Sequence, residues 1–468
     1  MQTRYVDVAV IGAGSAGLVA FRTARQHTDN VVLIEGGAYG TTCARVGCMP
    51  SKLLIAAAEA AHAAHAAPAF GIETGTVKVD GVAVMNRVRS ERDRFVGFVV
   101  EGVNNIPEEQ RIRGYARFLD DHRLQVGDDL TIVAKRIVIA TGSTPAYPRS
   151  WDDLGDRLLV NDDIFDWQDL PSSIAVFGPG VIGLELGQAL HRLGVDVHMF
   201  GLGGRIGPLT DPDVISSARK AMQAEFYLDD NADVSRMERV GDAVEIDFVD
   251  TDGKARSISV DYVVAATGRR PSVAGLGLEN TRLPLDGRGV PLFDTETLRV
   301  GESHVFIAGD ANNDRPLLHE ATDEGRIAGS NAGRYPNVRP GERRTPLGVV
   351  FSDPQIAMVG STFGALAGSD YVTGEVSFED QGRSRVMLKN QGLLRVYADT
   401  TSGRFLGAEM FGPRAEHLGH LLAWAHQAGL TIGQMLEMPF YHPVIEEGLR
   451  SALRDVATKI GNTVARAA

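Results

Sequence analysis

The chain has 468 residues, 44% of them hydrophobic, and its 60 acidic residues outnumber 47 basic ones to give a net charge of −13. This length exceeds one ordinary domain and provides apolar material for several cores. The acidic balance argues against nucleic acid or an anionic membrane as the main partner. No apolar run reaches the roughly 18 residues of a membrane span, and no signal-peptide pattern opens the chain, so we expect a cytoplasmic protein.

The first predicted unit is a dinucleotide-binding βαβ segment. An apolar strand, VDVAVI, runs into the turn GAGSAG, and a helical stretch and a second strand, VVLIE, follow it. This order sets a pyrophosphate at the helix N-terminus. Gly12 makes the tight turn, Gly14 lets the backbone approach phosphate, and Gly17 lets the helix pack on the strand. Glu35 closes the second strand about 20 residues later, where a carboxylate binds ribose hydroxyls.

The only two cysteines, Cys43 and Cys48, stand in the stretch TTCARVGCMPSK. Their spacing alone leaves two interpretations open, a redox-active pair or an accidental closeness. A regular helix would separate them by about 7.5 Å along its axis, whereas a disulfide needs Cα atoms within ~7 Å. A bridged pair therefore requires a distorted turn, which Gly47 permits, before Pro50 opens a helix. In the cytoplasm a close thiol pair favours chemistry.

The glycine pattern recurs in the stretch IAVFGPGVIG, with Gly178, Gly180 and Gly183 at the same spacing. Two dinucleotide folds imply two nucleotides. The position that corresponds to the first acid is Gly201, so no carboxylate is available there for a ribose 2'-hydroxyl. No arginine cluster is available for a 2'-phosphate either, because Arg205 stands alone. The sequence therefore leaves NAD and NADP open at this site.

Three further stretches, RIVIATGSTP, DYVVAATGRRP and HVFIAGDAN, are apolar strands that run into turns. They place Thr141 and Gly142, then Gly268, and finally Gly309 and Asp310, just past strand ends. An aspartate at such a position can accept hydrogen bonds from sugar or ribityl hydroxyls. Together they predict a chain that leaves and re-enters a flavin domain around an inserted nicotinamide domain.

Near the C-terminus, PFYHPVIEEGLR offers His442 with Glu447 five residues on. Thiol exchange needs a base because the thiolate attacks, and a carboxylate can fix the tautomer of a histidine that titrates near neutral pH. His62 and His65 lie at i and i+3 on the alanine-rich helix. No cysteine or carboxylate cluster joins them, so we predict no metal site.

Together these features cover nearly the whole chain: two glycine turns, the Cys-x4-Cys pair with Pro-Ser-Lys, two ATG stretches, LELG, AGDAN and His-Pro-x-x-x-Glu. The set resembles the pyridine nucleotide-disulfide oxidoreductases, and among them most the dihydrolipoamide dehydrogenases. The resemblance implies an α/β fold with two Rossmann-like dinucleotide-binding domains, for FAD and NAD, plus a C-terminal α+β dimerisation domain. The predicted regions are an FAD-binding domain at 1–149, an NAD-binding domain at 150–275, a central segment completing the FAD site at 276–344, and a dimerisation domain at 345–468.

The resemblance also implies roles for single residues. Cys43 exchanges with the dithiol substrate, and Cys48 sits against the flavin as a thiolate. Lys52 lies near the reactive flavin edge, paired with Glu185 of the second glycine helix, and His319 lies near the flavin. The C-terminal histidine and its glutamate reach across a homodimer interface to the other subunit's disulfide. The expected activity is oxidation of dihydrolipoamide by NAD, with the lipoyl domain of a 2-oxo acid dehydrogenase or glycine-cleavage type complex as partner.

The chain departs from the lipoamide pattern near the cysteines and the histidine. Arg45 stands where Asn is usual, Thr41 stands at the second glycine of Gly-Gly-Thr, and Val444 replaces Thr after His-Pro. Glutathione-type reductases generally have Lys at Ser51, and mercuric reductases need cysteines after Cys48, which are absent. Two alternatives to the lipoamide activity remain, an NAD(P)H-dependent reductase of another small disulfide and a non-catalytic flavin-bearing subunit of a larger complex.

Overall fold

The structure is a computed structural model that describes residues 2–467, with side chains described for residues 2–461. The helices are α1 (Ser15–Ala24), α2 (Thr42–Val46), α3 (Cys48–Ala66), α4 (Gly81–Asn104), α5 (Asn161–Ile164), α6 (Val181–Arg192), α7 (Pro212–Gln223), α8 (Leu318–Arg334), α9 (Gly382–Val386), α10 (Ala415–Gln427), α11 (Ile432–Leu436) and α12 (Glu446–Ala467). The strands are β1 (Gln2–Ile11), β2 (Val31–Glu35), β3 (Arg111–Arg113), β4 (Ala116–Phe118), β5 (Arg123–Val126), β6 (Leu130–Ile139), β7 (Ser143–Pro145), β8 (Leu158–Val160), β9 (Ser173–Phe177), β10 (Asp196–Phe200), β11 (Tyr227–Asp229), β12 (Asp233–Val240), β13 (Ala243–Val249), β14 (Ala255–Val260), β15 (Tyr262–Ala265), β16 (Arg269–Pro271), β17 (Val305–Ile307), β18 (Leu347–Val350), β19 (Gln355–Gly360), β20 (Tyr371–Ser377), β21 (Leu393–Asp399) and β22 (Phe405–Gly412).

The chain divides into two compact units. Unit 1 comprises Met1–Leu53, Asn86–Ala146 and Gly268–Arg343, and unit 2 comprises Leu54–Met85, Tyr147–Thr267 and Arg344–Ala468. The chain thus leaves unit 1 and returns to it. The four region boundaries that we drew from the sequence stay a prediction.

Unit 1 is built on a mixed sheet with strand order β3-β2-β1-β6-β5-β4. The β1–β2, β1–β6 and β2–β3 pairs are parallel. Strand β6 changes partner along its length, because residues 130–133 pair antiparallel with β5 and residues 137–139 pair parallel with β17. Since β1, β6 and β17 run in the same direction, the turns that follow them meet at one edge of the sheet.

Helices α1 and α8 pack closely against each other in unit 1. Two glycines of α8 make the close approach possible. A Cβ atom on Gly325 would lie 2.3 Å from the carbonyl oxygen of Ala16, and one on Gly329 would lie 2.3 Å from that of Ala20. The small residues of both helices therefore fix their distance, and α8 is held beside the first glycine turn.

Unit 2 contains a parallel sheet of order β11-β10-β9-β15-β8, an antiparallel meander of β12, β13 and β14, and an antiparallel sheet of order β18-β19-β22-β21-β20. The last sheet packs against α10 and α12, whose apolar side chains Leu418, Leu422, Leu449 and Leu453 are buried in a common core. The predicted fold class is confirmed: two Rossmann-like domains and a C-terminal α+β domain, the last lying within unit 2. Within residues 2–467, no helix combines the length and apolarity that crossing a membrane requires. The cytoplasmic location stays a prediction.

Candidate active site

The first glycine turn allows a ligand to approach its backbone closely. Gly12 has a φ of +105°, and a Cβ atom there would lie 2.2 Å from the carbonyl oxygen of Ala140. A Cβ atom on Gly17 would lie 1.9 Å from the Gly12 carbonyl oxygen, so α1 packs directly over the turn. Gly14 precedes α1, which has no side-chain cap among the described residues. The helix N-terminus therefore leaves its backbone N–H groups available to a phosphate.

The acid at the end of β2 is bound to the same turn. Glu35 accepts hydrogen bonds from the Ala13 N–H at 2.8 Å and from the Gly37 N–H at 2.7 Å. At the end of β6, the buried Thr141 hydroxyl has no hydrogen-bond partner within the described part of the chain. Leaving such a group unsatisfied costs about 1–3 kcal/mol. The glycine turn, the carboxylate and the unpaired hydroxyl together fit a dinucleotide such as FAD.

A chain of polar contacts surrounds Asp310, in the short 3-10 turn after β17. The Ser143 hydroxyl donates to Asp310 Oδ2 at 2.7 Å and accepts from Arg269 Nε at 2.9 Å. Strands β7 and β16 pair antiparallel, which brings Arg269 beside Ser143. Gly268 and Gly309 flank these residues with φ values of +121° and +71°. Asp310 is thus bound by the Ser143 hydroxyl, which Arg269 binds in turn.

Cys43 and Cys48 lie side by side in unit 1. Cys43 belongs to α2 and Cys48 is the first residue of α3, and Gly47 between them has non-helical angles, φ −128° and ψ −118°. A Cβ atom on Gly47 would lie 3.1 Å from the Thr42 carbonyl oxygen. A hydrogen bond between the two thiols is the main cause that raises the pKa of Cys43, and burial is the second. The two sulfur atoms are therefore within reach of each other.

Helix α3 begins at Cys48, two residues before the predicted start at Pro50, so that start was wrong. Proline is tolerated in the first turn because its missing N–H has no partner there anyway. One turn on, Lys52 Nζ lies 3.4 Å from Ser51 Oγ, which itself donates to the Cys48 carbonyl oxygen at 3.1 Å. The charge of Lys52 lowers the pKa of Cys43, although less than the thiol contact raises it. A lysine in this position favours a thiolate.

The segment before the cysteines is strained. Thr41 has a φ of +58° and a ψ of +151°, a region that β-branched residues rarely adopt, at a cost of about 1–3 kcal/mol. Its hydroxyl accepts a hydrogen bond from the Ala44 N–H at 3.2 Å. The side chain of Arg45 packs over Gly40. The sequence showed that Thr41 replaces a glycine of the lipoamide pattern, and the structure shows that the replacement carries backbone strain.

In unit 2 the second glycine turn repeats the first. Gly178 has a φ of +109°, and a Cβ atom there would lie 2.4 Å from the Ala266 carbonyl oxygen. A Cβ atom on Gly183 would lie 1.9 Å from the Gly178 carbonyl oxygen. Gly180 precedes α6, which likewise lacks a side-chain cap in the described residues. The same phosphate-binding arrangement therefore exists twice.

The surroundings of the second turn differ. A Cβ atom on Gly201, after β10, would lie 2.6 Å from the ring of Pro179 in the turn. Asp230, beyond the end of β11, lies next to Gly201, and its Oδ2 is 2.6 Å from Arg219 Nη2. Counting from the glycines pointed to Gly201 and missed this acid. No local spacing points to it, because Asp230 becomes a neighbour of Gly201 through the parallel pairing of β10 with β11.

Glu185 and Lys52 fall in different units. Glu185 is buried in α6, and its Oε1 accepts a hydrogen bond from the Phe351 N–H at 3.0 Å within unit 2. The pairing of Lys52 with Glu185 stays a prediction.

His442 and Glu447 form a hydrogen-bonded pair. His442 Nδ1 lies 3.0 Å from Glu447 Oε2, and Glu447 also accepts from Arg450 Nη2 at 3.1 Å. The hydrogen bond with His442 is the main cause that lowers the pKa of Glu447. An ionised Glu447 requires the hydrogen on Nδ1, which leaves the lone pair on Nε2. The His442 side chain is 80% exposed, so the pair presents a base that another molecule can reach.

Three further histidines of the sequence analysis are His62, His65 and His319. Burial lowers the pKa of His62, and His65 Nδ1 lies 2.9 Å from the Ala61 carbonyl oxygen. Among the described residues, no group of three or more His, Cys, Asp or Glu side chains could hold a metal ion. His319, at the start of α8, has a buried Nε2 without a partner in residues 2–461.

Comparison with known sequences identifies the two parts of the chain. Residues 6–325 match the family described as pyridine nucleotide-disulphide oxidoreductase, and residues 347–453 match the dimerisation domain of the same family. The second match supports a homodimer. Dihydrolipoyl dehydrogenase from Haloferax volcanii is 30% identical, with 98% of both chains covered.

Solved structures show the same fold. LpdA from Mycobacterium tuberculosis has a TM-score of 0.81 at 26% identity, covering 96% of this chain and 99% of that one. The HOCl-induced flavoprotein disulfide reductase RclA from Escherichia coli has a TM-score of 0.79 at 23% identity, covering 97% and 99%. The second likeness concerns the fold alone. The chain belongs to the pyridine nucleotide-disulphide oxidoreductase family, as a class I flavoprotein similar to lipoamide dehydrogenase that works with FAD and NAD(H).

Proposed function

We propose that the chain is a homodimeric dihydrolipoamide dehydrogenase with NAD⁺ as final acceptor. The observation that carries the proposal is the contact between Cys43 and Cys48, the only cysteines, at the start of α3 in the unit that holds the first glycine turn. The Haloferax volcanii relative bears the name dihydrolipoyl dehydrogenase, and its similarity to this chain extends over nearly the whole of both. This relationship supports dihydrolipoamide as the substrate. The proposed partner is the lipoyl domain of a 2-oxo acid dehydrogenase or glycine-cleavage type complex.

The cysteine pair accepts two electrons from the substrate by disulfide exchange. One substrate thiolate attacks the sulfur of Cys43, forms a mixed disulfide and breaks the Cys43–Cys48 bond, so that Cys48 leaves as a thiolate. The second substrate thiolate then attacks the substrate sulfur of the mixed disulfide. This releases oxidised lipoamide and leaves the two cysteines reduced, so that the substrate loses the two electrons that the pair gains.

Three side chains manage the protons and charges of this exchange. Nε2 of the partner subunit's His442 takes the proton of the attacking substrate thiol, and the partner's Glu447 stabilises the resulting imidazolium. A positioned base of this kind contributes typically 10²–10⁴-fold in rate. Lys52 stabilises the negative charge that develops on the cysteine pair. The chemistry that FAD would supply when bound is to accept the electron pair and to pass it as hydride to the nicotinamide.

The cofactor-binding residues divide between the two turns. Gly12, Gly14 and Gly17 with Glu35 hold the nucleotide part of FAD, and Asp310 accepts from its hydroxyls. Thr141, Gly142 and Gly309 follow the paired strands β6 and β17, and Gly268 precedes β16, which pairs with β7. All four are proposed to contact FAD. In unit 2, Gly178, Gly180 and Gly183 hold the pyrophosphate of NAD(H). Glu185 is proposed to offset the charge of Lys52.

The experiment that tests this function is Cys48→Ser in the FAD-bound dimer. The variant should keep its flavin, because serine is nearly isosteric, and should lose dihydrolipoamide-dependent NAD⁺ reduction by at least about 10³-fold. Met49→Leu, a volume-conserving change at the next residue, should keep the rate within about threefold. Retained turnover in Cys48→Ser would contradict the mechanism. Turnover by the isolated wild-type dimer would exclude a non-catalytic subunit.

A further inference from the structure

A buried group of carboxylates lies beside the turn that carries Asp310. The first turns of α8 contain Glu320, Asp323 and Glu324, which are 2%, 4% and 0% exposed. Arg343 is the cation bound to two of them, with Nη2 3.0 Å from Glu320 Oε2 and 2.8 Å from Glu324 Oε1. All of these residues belong to unit 1. The proposed reaction gives none of them a role.

Glu324 connects this group to the cofactor edge. Its Oε2 accepts hydrogen bonds from the Gly309 N–H at 2.7 Å and from Asn312 Nδ2 at 2.7 Å. Gly309 and Asn312 are the first and last residues of the 3-10 turn that contains Asp310. One carboxylate oxygen therefore ties both ends of that turn to α8.

The surroundings of Glu324 make its charge sensitive to pH. Burial raises the pKa of Glu324 to about 7, against the opposing effects of the Gly309 N–H, Arg343 and Asn312. Asp314, which also binds Arg343, raises it further. Glu320 competes for the same guanidinium and is itself bound by Arg315 at 3.2 Å, while Asp323 lies 4.0 Å from Arg326.

The hydrogen-bonding groups around Glu324 show what its protonation would do. The backbone N–H of Gly309, the amide of Asn312 and the guanidinium of Arg343 all donate to the carboxylate. A protonated carboxyl must itself donate one hydrogen, but all three groups face it with donors, and the amide oxygen of Asn312 already accepts from the Asp314 N–H at 2.9 Å. Protonation therefore breaks at least one of the contacts and loosens the turn.

We infer that Glu324 is a positioning residue for the flavin cofactor, which as a carboxylate fixes the Gly309–Asn312 turn so that Asp310 meets FAD. FAD then binds more tightly to the form with ionised Glu324, and its affinity rises with pH through neutrality. The inference rests on the proposed contact between Asp310 and FAD. It does not depend on the identity of the disulfide substrate.

The test measures FAD dissociation from the holoenzyme by flavin fluorescence after dilution, between pH 6.0 and 8.5. Wild type should bind FAD at least about fivefold more weakly at the acid end, a coupling of ordinary size. Glu324→Gln should show no pH dependence, because the amide oxygen can keep both turn contacts but the side chain cannot ionise. Glu320→Gln is the matched control, buried and bound to Arg343 but without contact to the turn. It should keep a pH-dependent FAD affinity, with the transition moved to lower pH because one competitor for Arg343 has lost its charge.

A pH dependence in Glu324→Gln equal to that of wild type would overturn the inference. If this variant does not fold, Asn312→Ala provides a second test, because it removes one donor to the same oxygen and keeps the charge. Its FAD should dissociate several-fold more readily at every pH, and wild-type retention would again overturn the inference. Neither readout uses dithiol turnover, so failure of the dihydrolipoamide assignment is recognised separately.

Discussion

The two glycine turns share one backbone and differ in what stands beside it. Their first glycines, Gly12 and Gly178, have φ values of +105° and +109°. Glu35 is bound to the N–H of the turn residue after Gly12, whereas the corresponding residue of the second turn is Pro179, which has no N–H, and the acid is replaced by Gly201. The acid and the N–H that would bind it are therefore absent together. The glycines therefore determine the phosphate-binding backbone, and the residues that recognise the ribose vary independently of the glycines.

We predict that each glycine turn binds one nucleotide. Substitution of the third glycine of each turn tests this prediction and has the largest expected effect on nucleotide binding. In Gly17→Ala and Gly183→Ala the new Cβ atom would lie 1.9 Å from a backbone carbonyl oxygen, so the turn must move. We expect Gly17→Ala to weaken FAD binding by at least about 100-fold, a severe overpacking effect. Gly183→Ala should retain its flavin and lose reduction of that flavin by NADH.

The two glycine variants are each other's controls. Flavin content is measured by absorbance after desalting, and NADH-dependent bleaching is followed under anaerobic conditions. Loss of flavin from Gly183→Ala, or normal flavin content in Gly17→Ala, would contradict the assignment of one nucleotide to each turn.

Removal of the acid at the first turn should have an intermediate effect. Glu35→Ala leaves the Ala13 and Gly37 N–H groups without their side-chain acceptor. An unsatisfied group of this kind costs about 1–3 kcal/mol, which corresponds to roughly 5- to 150-fold weaker FAD binding. Glu35→Gln, which keeps one acceptor oxygen, should lose less. FAD titration of the three proteins checks this order, and equal affinity of Glu35→Ala and wild type would contradict it.

The smallest expected effect is that of Pro179→Ala at the second turn. This change restores the N–H, but Gly201 supplies no carboxylate to accept from it. We expect the KM for NADH and the ratio of NADH to NADPH activity to stay within about threefold of wild type, as for a change that forms no new contact. Steady-state kinetics with both nucleotides measures it. A tenfold change in the ratio would show that the proline itself selects the nucleotide.

The sequence predicts the strand–turn–helix repeats because the requirements are local. A positive φ and a close backbone approach restrict positions such as Gly12 and Gly178 to glycine, and that restriction is visible in one dimension. The thiol pair and the His442–Glu447 contact rest on similarly short spacings, whereas the fold class follows from the family resemblance of the whole set of motifs. Helix α3 begins at Cys48 and not at the predicted Pro50. Helix ends are harder to predict than glycine turns because they depend on contacts outside the helix.

Other features of the site depend on tertiary contacts and could not be predicted. Glu324 gains its role only because α8 packs beside the turn after β17 and because Arg343, 19 residues later, folds back onto it. Asp230 becomes a neighbour of Gly201 through the pairing of β10 with β11. The strain at Thr41 appears only in backbone angles. The first two contacts join residues that are far apart in the sequence, and the third feature is a backbone conformation that the residue type does not reveal.

The measurement that tests the central claim most directly is anaerobic oxidation of dihydrolipoamide by the purified FAD-bound dimer, with NAD⁺ in one cuvette and NADP⁺ in another. We expect rapid reduction of NAD⁺ alone, which would also show that an NAD site tolerates Gly201. Failure with both nucleotides, while NADH or NADPH still bleaches the flavin, would contradict the dihydrolipoamide assignment and direct the search to another disulfide.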